Sequence, residues 1–322
     1  MRLKLVPQDT AINFLGSWRY TFGASVVAMV LALMAFLMIG LNFGIDFRGG
    51  TSIRTEASQP VDVGAYRDAI TPLGLGDVAI SEVFDPTFGA DRNVALVRIQ
   101  TQEGAESVSP EIVAEVERVL QAVDASLRIS SVDSVGPKVS AELVQSAILA
   151  VVAALAAVLI YIWLRFEWQF ALGAVAALVH DVVLTIGLFA ILQIRFDLAI
   201  IAALLTIVGY SLNDTVVVFD RIRENLIKFK KRDIIDVMNL SINETLSRTV
   251  ITSLTTLLAL ISLFVLGGDV IRGFVFAMIW GVIVGTWSSV FVAAVVVKRL
   301  GVKRDWSKGG DGDKAGTQFS TG

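Results

Sequence analysis

Long apolar runs separated by short polar breaks dominate this chain, and the runs have the length of a bilayer. Six stretches approach or exceed the roughly 17–25 residues that a spanning helix requires: 20–41, 143–163, 170–192, 198–219, 250–266 and 274–297. The first is too long for a signal-peptide core and lacks a small-residue cleavage site, so it is read as a retained helix. The fifth is the shortest and opens on polar Ser247-Arg248-Thr249, so its lower end is expected to be sheltered by protein.

Between the first two runs lies a segment of different texture, 42–142. Thr51 to Thr55 alternates like a strand, and 63–73 reads as a short helix stopped near Gly74. Segments 78–84 and 93–100 read as strands about an Asp85-Pro86 turn. From Pro110 onward, Ile112, Val113, Val116, Val119, Leu120 and Val123 recur at helical spacing, and 127–132 closes as a strand. The order β-α-β-β-α-β predicts a ferredoxin-like sandwich. The fold expected is thus a polytopic α-helical membrane protein with six transmembrane helices and one α+β ferredoxin-like domain between helices 1 and 2. Its parts are a 1–19 N-terminus, a 20–41 helix, the 42–142 domain, helices 2–6 over 143–297 and a flexible 298–322 tail.

Composition agrees: 55% of the 322 residues are hydrophobic and the mean hydropathy is +0.71, more than a soluble core requires. The net charge of −3 says less than the distribution of Lys and Arg. Arg2, Lys4 and Arg19 precede the first run, and Arg165 lies between the second and third. Arg221, Arg223, Lys228, Lys230, Lys231 and Arg232 follow the fourth, and Lys298, Arg299, Lys303, Arg304, Lys308 and Lys314 follow the sixth. The other two short connections hold only Arg195 and Arg272. The positive-inside rule therefore places both termini in the cytoplasm and 42–142 outside, as an even number of spans requires. With no cysteine, the outer domain must fold on its own core without disulfides. It shows no metal-ligand cluster, nucleophile pair or phosphate loop, so a binding or lever role is expected rather than an enzyme's, with no cofactor and no metal. The basic stretch 221–232 reads as a solvated topology determinant rather than a surface for anionic lipid or ribosomal RNA, so the partners expected include membrane lipid but no nucleic acid.

Charge inside the apolar runs carries the candidate chemistry. A charge at bilayer depth costs about 2.5–3.5 kcal/mol on insertion scales, so such residues face a bundle interior and serve function. Asp214 interrupts the fourth run, and Thr206, Tyr210, Asn213 and Asp214 fall on one helical face. Asp181 follows the only histidine, His180, in the third run, with Thr185 one turn on. Arg248 opens the fifth, followed by Thr252, Thr255, Thr256 and Ser262. Asp214 and Arg248 are expected at similar depth, and a carboxylate whose proton affinity changes with the approach of an arginine is a workable proton switch. An ion pair that only fixes helix register is the alternative for these two. Asp181 is equally readable as a functional carboxylate or as one that satisfies neighbouring hydroxyls, and His180 reads first as a satisfied interior residue, with a proton relay as the alternative. Gly281 and Gly285 have G-x-x-x-G spacing, which permits close packing within the bundle or against a partner chain.

Several motifs together resemble the SecD and SecF family of export membrane proteins, relatives of the RND transporters. Gly44-Ile45-Asp46-Phe47-Arg48-Gly49-Gly50-Thr51 and Val135-Gly136-Pro137-Lys138-Val139-Ser140 are similar to the segments around the family's outer domain. His180-Asp181-Val182, Gly209 to Thr215, Phe219-Asp220-Arg221-Ile222-Arg223-Glu224-Asn225, Ser247-Arg248-Thr249 and Gly267-Gly268 resemble the SecF members in particular. The resemblance implies an inner-membrane subunit of a SecDF complex that uses proton-motive force to assist the SecYEG channel and SecA in moving unfolded polypeptide. It places the family's proton-pathway aspartate and arginine on Asp214 and Arg248. It also implies a SecD-like partner, since the family bundle has twice as many helices, and protons rather than a bound cofactor as the coupling species. A half-size exporter of small molecules or lipids, and a non-conducting scaffold, are the competing classes.

Overall fold

The apolar runs form helices, and most are longer than the runs themselves. The computed structural model describes residues 10–76, 78–83, 93–100 and 108–302. In chain order the elements are α1 (Trp18–Ile39), α2 (Ile45–Arg48), β1 (Gly50–Ala57), α3 (Val63–Ile70), β2 (Val78–Val83), β3 (Asn93–Ile99), α4 (Pro110–Gln121), β4 (Arg128–Val135), α5 (Pro137–Arg165), α6 (Trp168–Leu192), α7 (Leu198–Lys228) and α8 (Ile234–Leu266). The sixth span is α9 (Asp269–Ser288), a π-helical turn (Ser289–Ala293) and α10 (Ala294–Leu300). Arg2, Lys4, Phe84, the Asp85-Pro86 turn and the tail from Lys303 lie outside the described residues.

Six helices are long and apolar enough to cross a membrane. The basic stretch after the fourth span is largely helical, because α7 runs on to Lys228 and α8 begins at Ile234, where Asp233 caps it by accepting from the Ile235 amide at 2.8 Å. Its Lys, Arg and Glu are good helix formers that a hydropathy reading cannot see. Of the most apolar 18-residue stretch in each helix, 50%, 44% and 61% is buried in α6, α7 and the sixth span. The values for α1, α5 and α8 are 11%, 6% and 11%. The third, fourth and sixth spans are therefore the centre of the bundle, and the other three present apolar faces outward.

The outer domain has the predicted order, with a four-stranded antiparallel sheet arranged β2-β3-β1-β4. Ile53, Val97 and Ile99 on one sheet face pack with Tyr66 and Ile70 of α3 and with Val116 and Leu120 of α4. Asp62 and Ser109 cap the two helices. The β4 strand is longer than the periodicity predicts, and β1 pairs with it from Gly50 to Glu56.

Segment 44–51 joins this domain to the bundle. The Gly44 amide donates to the Phe196 carbonyl and the Phe196 amide to the Asn42 carbonyl, both at 2.8 Å, which fastens it to the α6–α7 connection. Asp46 Oδ2 accepts from the Leu198 amide at 3.1 Å and so satisfies an orphan donor at the start of α7. Phe43 and Phe47 pack edge or tilted against Phe196, and the Ser140 hydroxyl donates to the Ile45 carbonyl at 3.3 Å. Gly49 and Gly50 then turn the chain into β1 at φ 72° and 129°. A Cβ on Gly50 would stand 2.5 Å from the Ile99 carbonyl oxygen, so only glycine fits there.

Candidate functional site

Two carboxylates lie inside the bundle, and their surroundings differ sharply. Asp181 on α6 is 1% exposed and fully engaged. Its Oδ2 accepts from the Ser211 hydroxyl of α7 at 2.6 Å and from the Ser288 hydroxyl of α9 at 2.9 Å. Its Oδ1 lies 3.0 Å from His180 Nδ1. Thr185, one turn on, donates instead to the Asp181 backbone carbonyl at 2.7 Å. One side chain thus ties together the three central helices. Such bonds matter inside a bundle, where the alternative is an unsatisfied polar group. The far nitrogen of the imidazole, His180 Nε2, is buried with no hydrogen-bond partner. The pair therefore holds its hydrogen bond at Nδ1 and leaves a second nitrogen uncommitted.

The close approach that makes this possible comes from the glycines of α9. A Cβ on Gly281 would overlap Ile207 Cγ1 and stand 2.5 Å from its Cδ1, and one on Gly285 would stand 3.0 Å from Ser211 Cβ. Gly281, Gly285 and Ser288 share one face, at i, i+4 and i+7. The G-x-x-x-G face is thus an internal seam with α7, not a surface left for another chain. Directly after Ser288 the helix widens into its π turn, and Gly173 of α6 lies against it. Such turns occur in single pieces, often at functional positions.

Asp214 is 3% exposed. It sits on α7 three residues beyond Ser211, about 4.5 Å of helix rise away from the outer domain. Its Oδ2 is buried and makes no hydrogen bond, as do the hydroxyls of Tyr210, Thr215 and Thr249. Of the face read from the sequence, Asp214 turns inward and Tyr210 is half-buried, whereas Thr206 and Asn213 are exposed. Arg248 does not reach Asp214: no ion pair joins them, and its side chain is exposed in a cavity of about 490 Å³ lined also by Arg165, Asp220, Glu244 and Tyr161. Asp214 is buried in the bundle, whereas Arg248 opens into the cavity between α5, α7 and α8. Thr252 and Thr256 are half-buried and donate to carbonyls of their own helix.

The cavity's charges form a second network, which the sequence reading did not single out. Arg221 bridges Glu244 of α8 at 2.8 Å and Glu224 at 2.6 Å. Asn225 donates to Glu244 at 2.7 Å and to Ser241 at 3.0 Å, and Arg165 of α5 reaches Asp220 at 3.3 Å. These contacts brace α7 against α8 and α5 at the end far from the domain. The unnoticed partners of Asp181 did have a signal, since Ser288 continues the glycine face and Ser211 precedes Asp214 by nearly one turn. Among the described residues no group of three or more His, Cys, Asp or Glu side chains could hold a metal ion.

Comparison with known proteins gives consistent matches. Residues 35–61 match the SecD/SecF GG motif, and residues 115–303 match the C-terminal region of the protein export membrane proteins SecD/SecF. The protein translocase subunit SecF of Cereibacter sphaeroides is 61% identical over 319 residues, covering 99% of this chain and 98% of the relative. SecF of Rhodobacter capsulatus is 60% identical over 320 residues, with 97% and 96% covered. SecF of Vibrio alginolyticus is 38% identical over 318 residues, with 98% of each covered. The crystal structure of SecDF, a translocon-associated membrane protein from Thermus thermophilus, superposes with a TM-score of 0.82 at 36% identity over 92% of this chain. A SecDF structure in a super-membrane-facing form gives 0.67 at 38% identity over 91%. This chain spans 39% of the length of each SecDF chain.

Proposed function

The chain belongs to the SecD/SecF family of protein export membrane proteins, on its SecF side, and from that premise we propose that it couples proton passage to movement of its outer domain. It is a multi-pass inner-membrane protein that acts in protein translocation as a translocase subunit rather than an enzyme. In the proposed cycle Asp214 takes up and releases a proton, driven by proton-motive force, and Arg248 governs that exchange when the bundle rocks to bring the two together. His180 and Asp181 form the second station, one turn of α7 nearer the outer domain. Both termini face the cytoplasm and the ferredoxin-like domain faces the periplasm. No resident cofactor is required.

The observation that carries the reading is the contrast between the two carboxylates. Asp181 is clamped by the Ser211 and Ser288 hydroxyls and lies against His180 Nδ1, while Asp214 has an oxygen committed to nothing and is free to exchange a proton. Helix α7 offers a route for the output. Its outer end is held by Asp46 of the segment that becomes β1, so a shift of α7 bears directly on the sheet. The exposed polar residues Thr206 and Asn213 support a SecD-like partner seated on this side, since polar groups at membrane depth face protein rather than lipid. The assembly then assists the SecYEG channel and SecA by drawing unfolded polypeptide outward.

The test is Asp214→Asn in sodium-free proteoliposomes that contain the partner chain, SecYEG and SecA. Size and hydrogen bonding are kept while titration is removed. Assembly should be intact and the gradient-dependent part of export lost. Arg248→Lys keeps the charge but not the planar fork, and should slow the cycle. Full gradient-dependent export by Asp214→Asn at normal protein level would reduce Asp214 to a structural residue, as in a scaffold.

A further inference from the structure

An arginine cluster stands at the junction of outer domain and bundle, apart from the proton-carrying residues. Arg98 projects from the sheet face opposite the domain's core and is half-buried, with its Nε buried and without a hydrogen-bond partner. Arg48, the last residue of α2, is exposed and, among the described residues, forms no ion pair; it lines a small cavity with Arg98, Asn42 and Gln100. A larger cavity of about 480 Å³ opens on the other side of Arg98, where Arg195, Asp197, Phe264, Phe274 and Phe276 meet the sheet. Burial, with the positive charges of Arg195 and Arg48 behind it, holds the Arg98 guanidinium below its ordinary proton affinity. The carboxylate that acts against this is Asp197, and its Oδ2 is already bonded to Arg195 Nε at 3.1 Å. Among the described residues that line the two cavities, half-buried Arg98, Arg195 and Arg272 and exposed Arg48 stand with one aspartate, Asp197, and burying such a concentration of positive charge is costly without a counter-charge.

We propose that this cluster is a binding site for the phosphodiester of an anionic phospholipid with a glycerol headgroup. A guanidinium presents a planar fork that matches phosphate oxygens, and Arg98 with Arg48 supplies two such forks on one cavity. Asp197 Oδ1 is buried and has no donor, and headgroup hydroxyls supply the donors it lacks. The phenylalanine-lined side suits the first part of an acyl chain. Lipid rather than free phosphate is the source because the cavity lies beside outward-facing helix ends. Phe264 lines it, and its neighbours Val265 and Leu266 are 58% and 71% exposed. A lipid held here would bridge the sheet and the bundle at the membrane surface.

The experiment titrates the delipidated full chain in detergent with phosphatidylglycerol, phosphatidylethanolamine, phosphatidylcholine or inorganic phosphate, reading bound lipid by native mass spectrometry and thermal shift. Phosphatidylglycerol should bind best, Arg98→Gln should weaken it about fivefold, and Arg48→Gln with Arg98→Gln about thirtyfold. Exposed Arg67→Gln should change nothing. Without lipid, the Arg98→Gln protein should melt at or above wild type, since a repelled cation has gone; this separates lost binding from damaged folding. Equal phosphatidylglycerol binding by wild type and the double variant would overturn the site. Equal binding of phosphatidylcholine or phosphatidylethanolamine would overturn its charge selectivity, and an equal shift with inorganic phosphate its assignment to lipid.

Discussion

Replacing Gly281 by alanine tests the seam on which the buried polar cluster depends. The new methyl would overlap Ile207 Cγ1 and lie 2.5 Å and 2.9 Å from Cδ1 and Cγ2, and Ile207 is 1% exposed with nowhere to turn. Two effects compete. Alanine is favoured over glycine in a helix by about 1 kcal/mol, whereas forcing a methyl into a filled core costs about 1–3 kcal/mol. With three side-chain atoms inside 3 Å the steric cost should win, leaving a net loss of about 1 kcal/mol. Ile207→Ala alone should cost about 2–5 kcal/mol by cavity formation. Combined, the added methyl occupies part of the hole, so the double variant should be more stable than the sum of losses by at least about 1 kcal/mol. Reversible unfolding of the full chain in mixed micelles, followed by circular dichroism, measures all four corners of the cycle. An alanine variant as stable as wild type, or a cycle additive within about 0.5 kcal/mol, would refute the internal seam. So would a loss that appears only when the partner chain is present.

The clamp on Asp181 should show in the same assay. Ser211→Ala or Ser288→Ala should each cost about 0.6–1.7 kcal/mol, and the pair more than the sum, because either hydroxyl alone still serves the same carboxylate oxygen. Asp46→Ala should remove the acceptor at the start of α7 at a cost of about 1 kcal/mol. Hydrogen exchange at the Leu198 amide should then rise about fivefold, with Asp46→Asn intermediate; unchanged exchange would show that Asp46 does not hold the helix.

The six spans and the ferredoxin-like order were legible in the chain because both rest on local periodicity. A membrane helix must satisfy its own backbone, so its length and apolarity announce it wherever it sits. The strands and helices of the outer domain alternate or repeat within a few residues, and Gly74 marks the end of the first helical stretch. Helix ends beyond the apolar runs were less legible, since α7 runs on through charged 220–228, where the hydropathy signal is lost. The buried polar residues were recognisable as unusual, but their roles were not. Asp181 meets Ser211 and Ser288 across 30 and 107 residues of chain, and no spacing rule reports which of several polar faces will turn toward one another. Sequence placed Asp214 and Arg248 at one depth; only the packing of α7 and α8 buried the first and opened the second into the cavity between α5, α7 and α8. The direction in which the glycine face would pack was open for the same reason, because a small residue permits a close approach without choosing the neighbour. Rotation of each helix about its axis is decided by all its contacts at once, and that is a property of the assembled bundle alone.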